Sequence, residues 1–252
     1  SLLVSVGVAG QDIKGRTSDR TKGRTSDRIS KSGNSPAASN TMHDAPGDFN
    51  GDGRTDFSIV RQGIGGGSGT LTWWIRLNGP NTHSARPFGF NSDFIVPADY
   101  DGDGADDIAI WRSQTGNSGF WVIRSTDNTA TFTHFGQPGD DPFVVADYTN
   151  DGADDFAIYR SDPTQSYFWF NPTSGPYVGQ FVAVPWGFQQ DFALFGDYNG
   201  DGFADFTVVR AEGSPQRSRV YTLYGSADLL GTETSTELFG VPSDSHVPGD
   251  YD

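Results

Sequence analysis

The chain of 252 residues has no cysteine, so no disulfide staples its fold and thiol usage says nothing of its redox compartment. It has no run of 18 apolar residues, which excludes a membrane-spanning helix on sequence grounds. Long stretches with helical apolar spacing are missing as well. Basic residues are scarce, 17 Lys+Arg against 32 Asp+Glu, for a formal net charge of −15. The deficit is uneven: residues 1–46 hold seven basic and four acidic residues, and the rest of the chain holds ten and 28. Nucleic acid requires a basic groove, so a segment this acidic argues against it as a partner. What is plentiful is glycine (33), proline (14) and aromatic side chains (13%), a composition suited to tight turns between aromatic-rich strands. One all-β domain of this length is ordinary.

The acidic residues are in register. Asp99-Tyr-Asp101-Gly-Asp103-Gly104-Ala105-Asp106-Asp107 places carboxylates at positions 1, 3, 5 and 9 of a nine-residue loop, with glycine at position 6. Several hard oxygen ligands around one point, with a glycine at the sharp turn, suit a calcium ion of six to eight ligands. The next residues, Ile108-Ala-Ile-Trp-Arg112, alternate as a strand rather than an exiting helix. The loop recurs as Asp48, Asn50, Asp52, Asp56; as Asp147, Thr149, Asp151, Asp155; and as Asp197, Asn199, Asp201, Asp205. A fifth begins at Asp250 and reaches Asp252. The intervals run from 48 to 53 residues, the period of a four-stranded β-propeller blade. Thirteen of the 28 acidic residues after residue 46 occupy these loop positions. Crowding them costs folding energy unless cations intervene, and up to four Ca2+ ions are expected. Thr149 is the poorest position-3 ligand, so the third site is expected to bind most weakly.

With those loops, four Phe-Gly or Trp-Gly pairs stand 11 or 12 residues ahead: Phe88-Gly89, Phe135-Gly136, Trp186-Gly187 and Phe239-Gly240. Strands ending in Arg61, Arg112, Arg160 and Arg210 follow the loops. The pattern over residues 45–252 resembles the FG-GAP/VCBS repeat proteins. The resemblance implies a secreted β-propeller like the head of integrin α-chains, here four blades plus the start of a fifth, as part of a larger ring. It also implies calcium in hairpin loops on one face. The position-7 carbonyls of Arg54, Ala105, Ala153 and Phe203 would then complete the four ligand sets. Modules of this kind act in adhesion or in carbohydrate or protein recognition. The alternative is the propeller part of a secreted polysaccharide-degrading enzyme. Asp106 and Asp154, at position 8, are expected to point away from the ion.

Ahead of the repeats, residues 1–10 read as the end of a secretory signal peptide, apolar and then small near Ala9. Residues 11–44, with Lys14-Gly-Arg-Thr-Ser-Asp-Arg20 duplicated at Lys22–Arg28, read as a flexible linker. No catalytic constellation stands out. There is no Gly-x-Ser-x-Gly elbow, and His43, His83, His134 and His246 fall at different points of the repeat. The chain is therefore expected to be a binding module, not an enzyme, with a glycan or protein as its extracellular ligand. Trp73 and Trp74 are the candidates for stacking on a sugar. Neighbours on a strand alternate, so only one of them can face outward.

Overall fold

The computed structural model describes residues 3–5, 47–63, 69–77, 83–173, 177–213, 216–229, 231 and 234–244. The linker, most of residues 1–10, and the fifth loop at Asp250–Asp252 lie outside them. The described residues form strands and turns in four sheets, with no α-helix. β1 (Leu3–Ser5) precedes the repeats in the chain. Sheet one is β2 (Phe57–Gln62), β3 (Thr70–Arg76) and β4 (His83–Phe90). Sheet two is β5 (Phe94–Ile95), β6 (Ile108–Arg112), β7 (Gly119–Ile123) and β8 (Ala130–His134). Sheet three is β9 (Phe156–Arg160), β10 (Tyr167–Asn171) and β11 (Phe181–Pro185), with β1 pairing in parallel along β11. Sheet four is β12 (Phe192–Leu194), β13 (Phe206–Glu212), β14 (Arg217–Leu223) and β15 (Thr234–Leu238). Consecutive strands within each repeat pair antiparallel, as short loops dictate.

The expected four strands per repeat are met in sheets two and four. Sheet one shows three among the described residues. In sheet three the strand ahead of the loop shrinks to isolated bridges, Asp141 to Tyr159 and Ala146 to Asp155. Asp141 takes the place that Phe94 has in sheet two, opposite Tyr159 as Phe94 is opposite Trp111, and the 12 residues from Phe135 to Asp147, one more than the 11 from Phe88 to Asp99, put the residues after it out of register. These four sheets of three or four strands are consistent with successive propeller blades, and no closure into a ring is seen among the described residues.

The core lies between sheets. Leu71 and Trp73 of β3 meet Ile110 of β6. Ala109, Trp111, Phe120 and Val122 of sheet two meet Phe156 and Ile158 of β9. Phe168 and Phe170 of β10 meet Phe206 and Val208 of β13. The aromatic at loop position 2 joins each seam: Tyr100 stacks on Phe156 at 4.8 Å and Tyr148 on Phe206 at 5.0 Å between ring centroids. Each phenol then donates to a carbonyl of its own unit, Tyr100 to Val96 at 2.8 Å and Tyr148 to Val144 at 2.7 Å. A buried hydroxyl is thereby satisfied while its ring supplies apolar area.

The Phe-Gly pairs have a steric reason. Gly136 has φ +94°, and a Cβ there would lie 3.1 Å from Trp111 and 3.3 Å from Asp140 Oδ2. Gly136→Ala is expected to cost about 1–3 kcal/mol for the strained backbone. The fall in urea midpoint at constant slope would show it.

Candidate metal centre

Loops two, three and four each connect the strand or bridge ahead to the next strand, and an antiparallel bridge closes the neck of loop two (Ala98 to Asp107) and of loop three (Ala146 to Asp155). The position-1 aspartate organises the turn. Asp99 Oδ1 accepts from the N–H groups of Gly102 (2.7 Å) and Asp103 (3.2 Å), and Oδ2 accepts from Gly104 (2.7 Å). Asp48, Asp147 and Asp197 do the same in their loops, accepting from Gly53 at 2.6 Å, Gly152 at 2.9 Å and Gly202 at 2.8 Å. The position-9 aspartate ties the loop to its own sheet. Asp107 accepts from Tyr100 N (3.1 Å) and Ser125 N (2.7 Å). Asp155 accepts from Tyr148 N (3.0 Å) and Thr173 N (3.1 Å), and Asp205 from Tyr198 N and Gly225 N, both at 2.7 Å. Asp56 accepts from Phe49 N at 3.0 Å.

These position-9 carboxyls are held in an environment that resists charge. Burial, first of all, pushes Asp107 up to about 7, Asp155 to about 8 and Asp205 to about 6. The neighbouring loop carboxylates add to the rise in each case. Backbone donors act against it without cancelling it.

In loop two, the carboxylate oxygens of Asp99, Asp101 and Asp107 lie within 4.8 Å of one another, and no other such acidic group is found among the described residues. Asp101 Oδ1 is buried without a hydrogen-bond partner. A buried carboxylate oxygen left bare beside two others fits a hard divalent cation. Loop two is the one loop of the four with a carboxylate at position 3. Loops one, three and four put Asn50, Thr149 and Asn199 there, so their third carboxylate must come from position 5. That group is committed to its own turn: Asp151 Oδ1 accepts from Ala153 N (3.1 Å) and Asp201 Oδ1 from Phe203 N (2.9 Å). Asp103 is likewise taken by Ser125 Oγ, and Thr126 Oγ1 lies between Asp103 and Asp101 Oδ2, which Arg124 also faces at 3.9 Å, so only Oδ1 of Asp101 is left bare. In loop one the Asn50 amide donates to Asp56 at 3.1 Å, and Asp52 and Arg54 are exposed. Thus Asp48, Asp56, Asp147, Asp155, Asp197 and Asp205 are in place as turn-formers, without the close approach seen in loop two.

Two sets of residues are not apparent from the sequence pattern alone. The first is position 8. Asp106 Oδ2 accepts from Gly47 N at 2.7 Å, and its own N–H donates to Asp48 O at 2.7 Å. Asp154 repeats this with Asp99, at 3.1 and 2.7 Å. Ala204 keeps only the backbone half, donating to Asp147 O at 2.8 Å. Position 8 does face away from its own loop, and it grips the preceding one, so the four loops form a linked row. Asp106→Ala strips a partner from a part-buried N–H and is expected to cost about 1–3 kcal/mol. Amide exchange at Gly47 and Asp48 would speed up while that at Gly152 would not.

The second set is Asp93, Asp140 and Asp191, which hold the recurring arginines by two bonds each. Arg112 meets Asp93 at 2.8 and 2.7 Å, Arg160 meets Asp140 at 2.8 and 2.7 Å, and Arg210 meets Asp191 at 2.7 and 2.6 Å. Their signal in the sequence is an aspartate four residues after each Phe-Gly or Trp-Gly glycine.

Of the two candidate stacking tryptophans, Trp73 belongs to the core. It is 1% exposed, and its indole donates to Phe88 O at 3.1 Å, so it offers no ring face to a sugar. Trp74 is half-buried at the rim of a shallow hollow with Phe57 and Ile59, and Arg61 lies 5.8 Å from its ring centre.

Fold and site together define an all-β repeat protein that carries an acidic loop at the same corner of each unit. Residues 48–110, from the first loop into β6, match the family model of the FG-GAP-like repeat, and this stretch is a repeat of that family. No curated protein and no solved structure matches the chain.

Proposed function

We propose that the chain is a secreted, non-catalytic calcium-binding β-repeat module, in which the ions brace the loops and the surface recognises an extracellular glycan or protein. The observation that carries the calcium reading is the Asp99, Asp101 and Asp107 cluster with its bare buried Asp101 oxygen. Asp103 and the carbonyl of Ala105 are the nearest further donors in that loop's sequence. The ion's contribution is charge neutralisation and closure of the turn. The chain itself supplies the rest, since Asp99 shapes the turn and Asp107 anchors it to the sheet.

Modules working at extracellular calcium levels bind with dissociation constants of about 10⁻⁴–10⁻³ M. Calorimetric titration of the full chain with Ca2+ is expected to show saturable binding in that range, with loop two filling first. Asp101→Asn is expected to remove the tightest site. A flat titration at millimolar calcium would sink the reading. The recognition role is tested by a glycan array probed with the calcium-loaded chain.

A further inference from the structure

Loop two does not rest on its own unit alone. Asp99, which shapes its turn, has both backbone polar groups held by one residue of the next unit. Asp154 Oδ2 accepts from Asp99 N at 3.1 Å, and Asp154 N donates to Asp99 O at 2.7 Å. The two residues are 55 apart in sequence. Asp154 in turn adjoins Asp155, which the bridge to Ala146 and the N–H groups of Tyr148 and Thr173 fix on sheet three. A second contact backs the same turn: a Cβ built on Gly102 would lie 3.4 Å from Ala153 Cβ and 3.5 Å from Gly152 O.

These contacts bear on the carboxylates. Asp107 is tied to its own sheet through Ser125 N, whereas Asp99 is tied to the next unit through Asp154. The spacing of the two acidic groups is thus set across the seam between units. The oxygens of Asp99, Asp101 and Asp107 lie within 4.8 Å of one another, and when ionised they repel until a cation joins them. Asp154 holds Asp99 against that repulsion through the peptide groups on either side of its Cα. Loop three has only half of this clamp, because Ala204 donates to Asp147 O but brings no carboxylate.

We propose that Asp154 is a positioning residue for the metal of loop two, so that the calcium affinity of that loop is set by the unit that follows it. This rests on the calcium reading of Asp99, Asp101 and Asp107. Asp154 is not itself a ligand, since it lies outside their cluster and acts on the backbone of one of them. Residues that orient a metal ligand without touching the ion carry about 10–100-fold in affinity.

The test is a calcium titration of the full chain, followed by the NMR signals of the Gly102 and Gly104 amides, which donate to the Asp99 carboxylate. Asp154→Ala is expected to weaken binding at loop two by about 10–100-fold. Asp154→Asn keeps an acceptor for Asp99 N and is expected to restore most of the affinity. Alanine already stands at this place in loop four, so Asp154→Ala should fold, as circular dichroism would verify. Gly136→Ala separates affinity from stability, because its strain lies by Trp111, at the other end of β6 from loop two. It should lower stability and leave the loop-two affinity unchanged. An unchanged affinity in Asp154→Ala overturns the proposal. So does an Asp154→Asn variant as weak as Asp154→Ala, which would assign the effect to charge, or an equal loss in Gly136→Ala, which would assign it to stability. The calcium reading survives all three results. It falls, and this proposal with it, if the unaltered chain shows no saturable shift.

Discussion

At pH 8, adding calcium to the metal-free chain is expected to raise its melting temperature by about 5–10 °C for each site filled. Calcium at about a hundred times its dissociation constant adds about 2.7 kcal/mol per site that exists only in the fold. A domain of some 200 residues shifts by roughly 2–4 °C per kcal/mol. At pH 5 the gain should be much smaller, and the sign follows from the loops themselves. Asp107, Asp155 and Asp205 bind their protons more tightly folded, at about 7, 8 and 6, than their ordinary value of 3.8. Between pH 4 and 8 the metal-free fold therefore holds more protons than the unfolded chain, and its stability falls as pH rises. Every tenfold gain in a carboxyl's proton affinity on folding is worth about 1.4 kcal/mol. Calcium binds the ionised loops, so it restores most where the protons have been lost. Calorimetric melts of dialysed protein at both pH values, with and without calcium, check this. Identical melts at pH 8 would contradict a structural ion.

The acid-rich corners are legible in the sequence because their chemistry is local. Nine consecutive residues hold both the turn glycine and the carboxylates, so spacing alone locates Asp99, Asp101 and Asp107. The strands after them are legible by alternation, and Ile110 and Ile158 do face the core. What spacing cannot show is which carboxylates approach one another. Asp103 shares the motif with Asp101, yet the hydroxyl of Ser125, 22 residues away, claims it, while that of Thr126 lies between the two carboxylates. Position 8 looks idle in the sequence because its partner sits on the previous unit: Asp106 reaches Gly47 across 59 residues. Alternation says that Trp73 and Trp74 point opposite ways, but only packing decides which one is inside. The break after Asp141 is written in the sequence as one extra residue between Phe135 and Asp147, yet the period of the repeat suggests a strand there and hides it.

The recurring arginines lead to the second large effect. Arg160→Met is expected to destabilise the chain by about 3–5 kcal/mol, as breaking a buried pair does. The reason is the carboxylate it leaves behind. Asp140 has a side chain only 1% exposed, and one of its oxygens also accepts from Gln137 N at 2.7 Å, closing the turn after Phe135-Gly136. Without the guanidinium that charge stays buried with one backbone donor. Arg61 provides the internal control. It occupies the same place in sheet one but is exposed over Trp74, with no clamp carboxylate seen among the described residues. Arg61→Met should change stability by no more than about 0.5 kcal/mol. Adding Asp140→Asn to Arg160→Met removes the stranded charge and is expected to recover part of the loss, a coupling that a double-mutant cycle in urea would measure. Equal losses for Arg61→Met and Arg160→Met would mean that the arginines act through packing on the tryptophan rings, Trp74 at 5.8 Å and Trp169 at 5.4 Å, and that the carboxylate is a bystander.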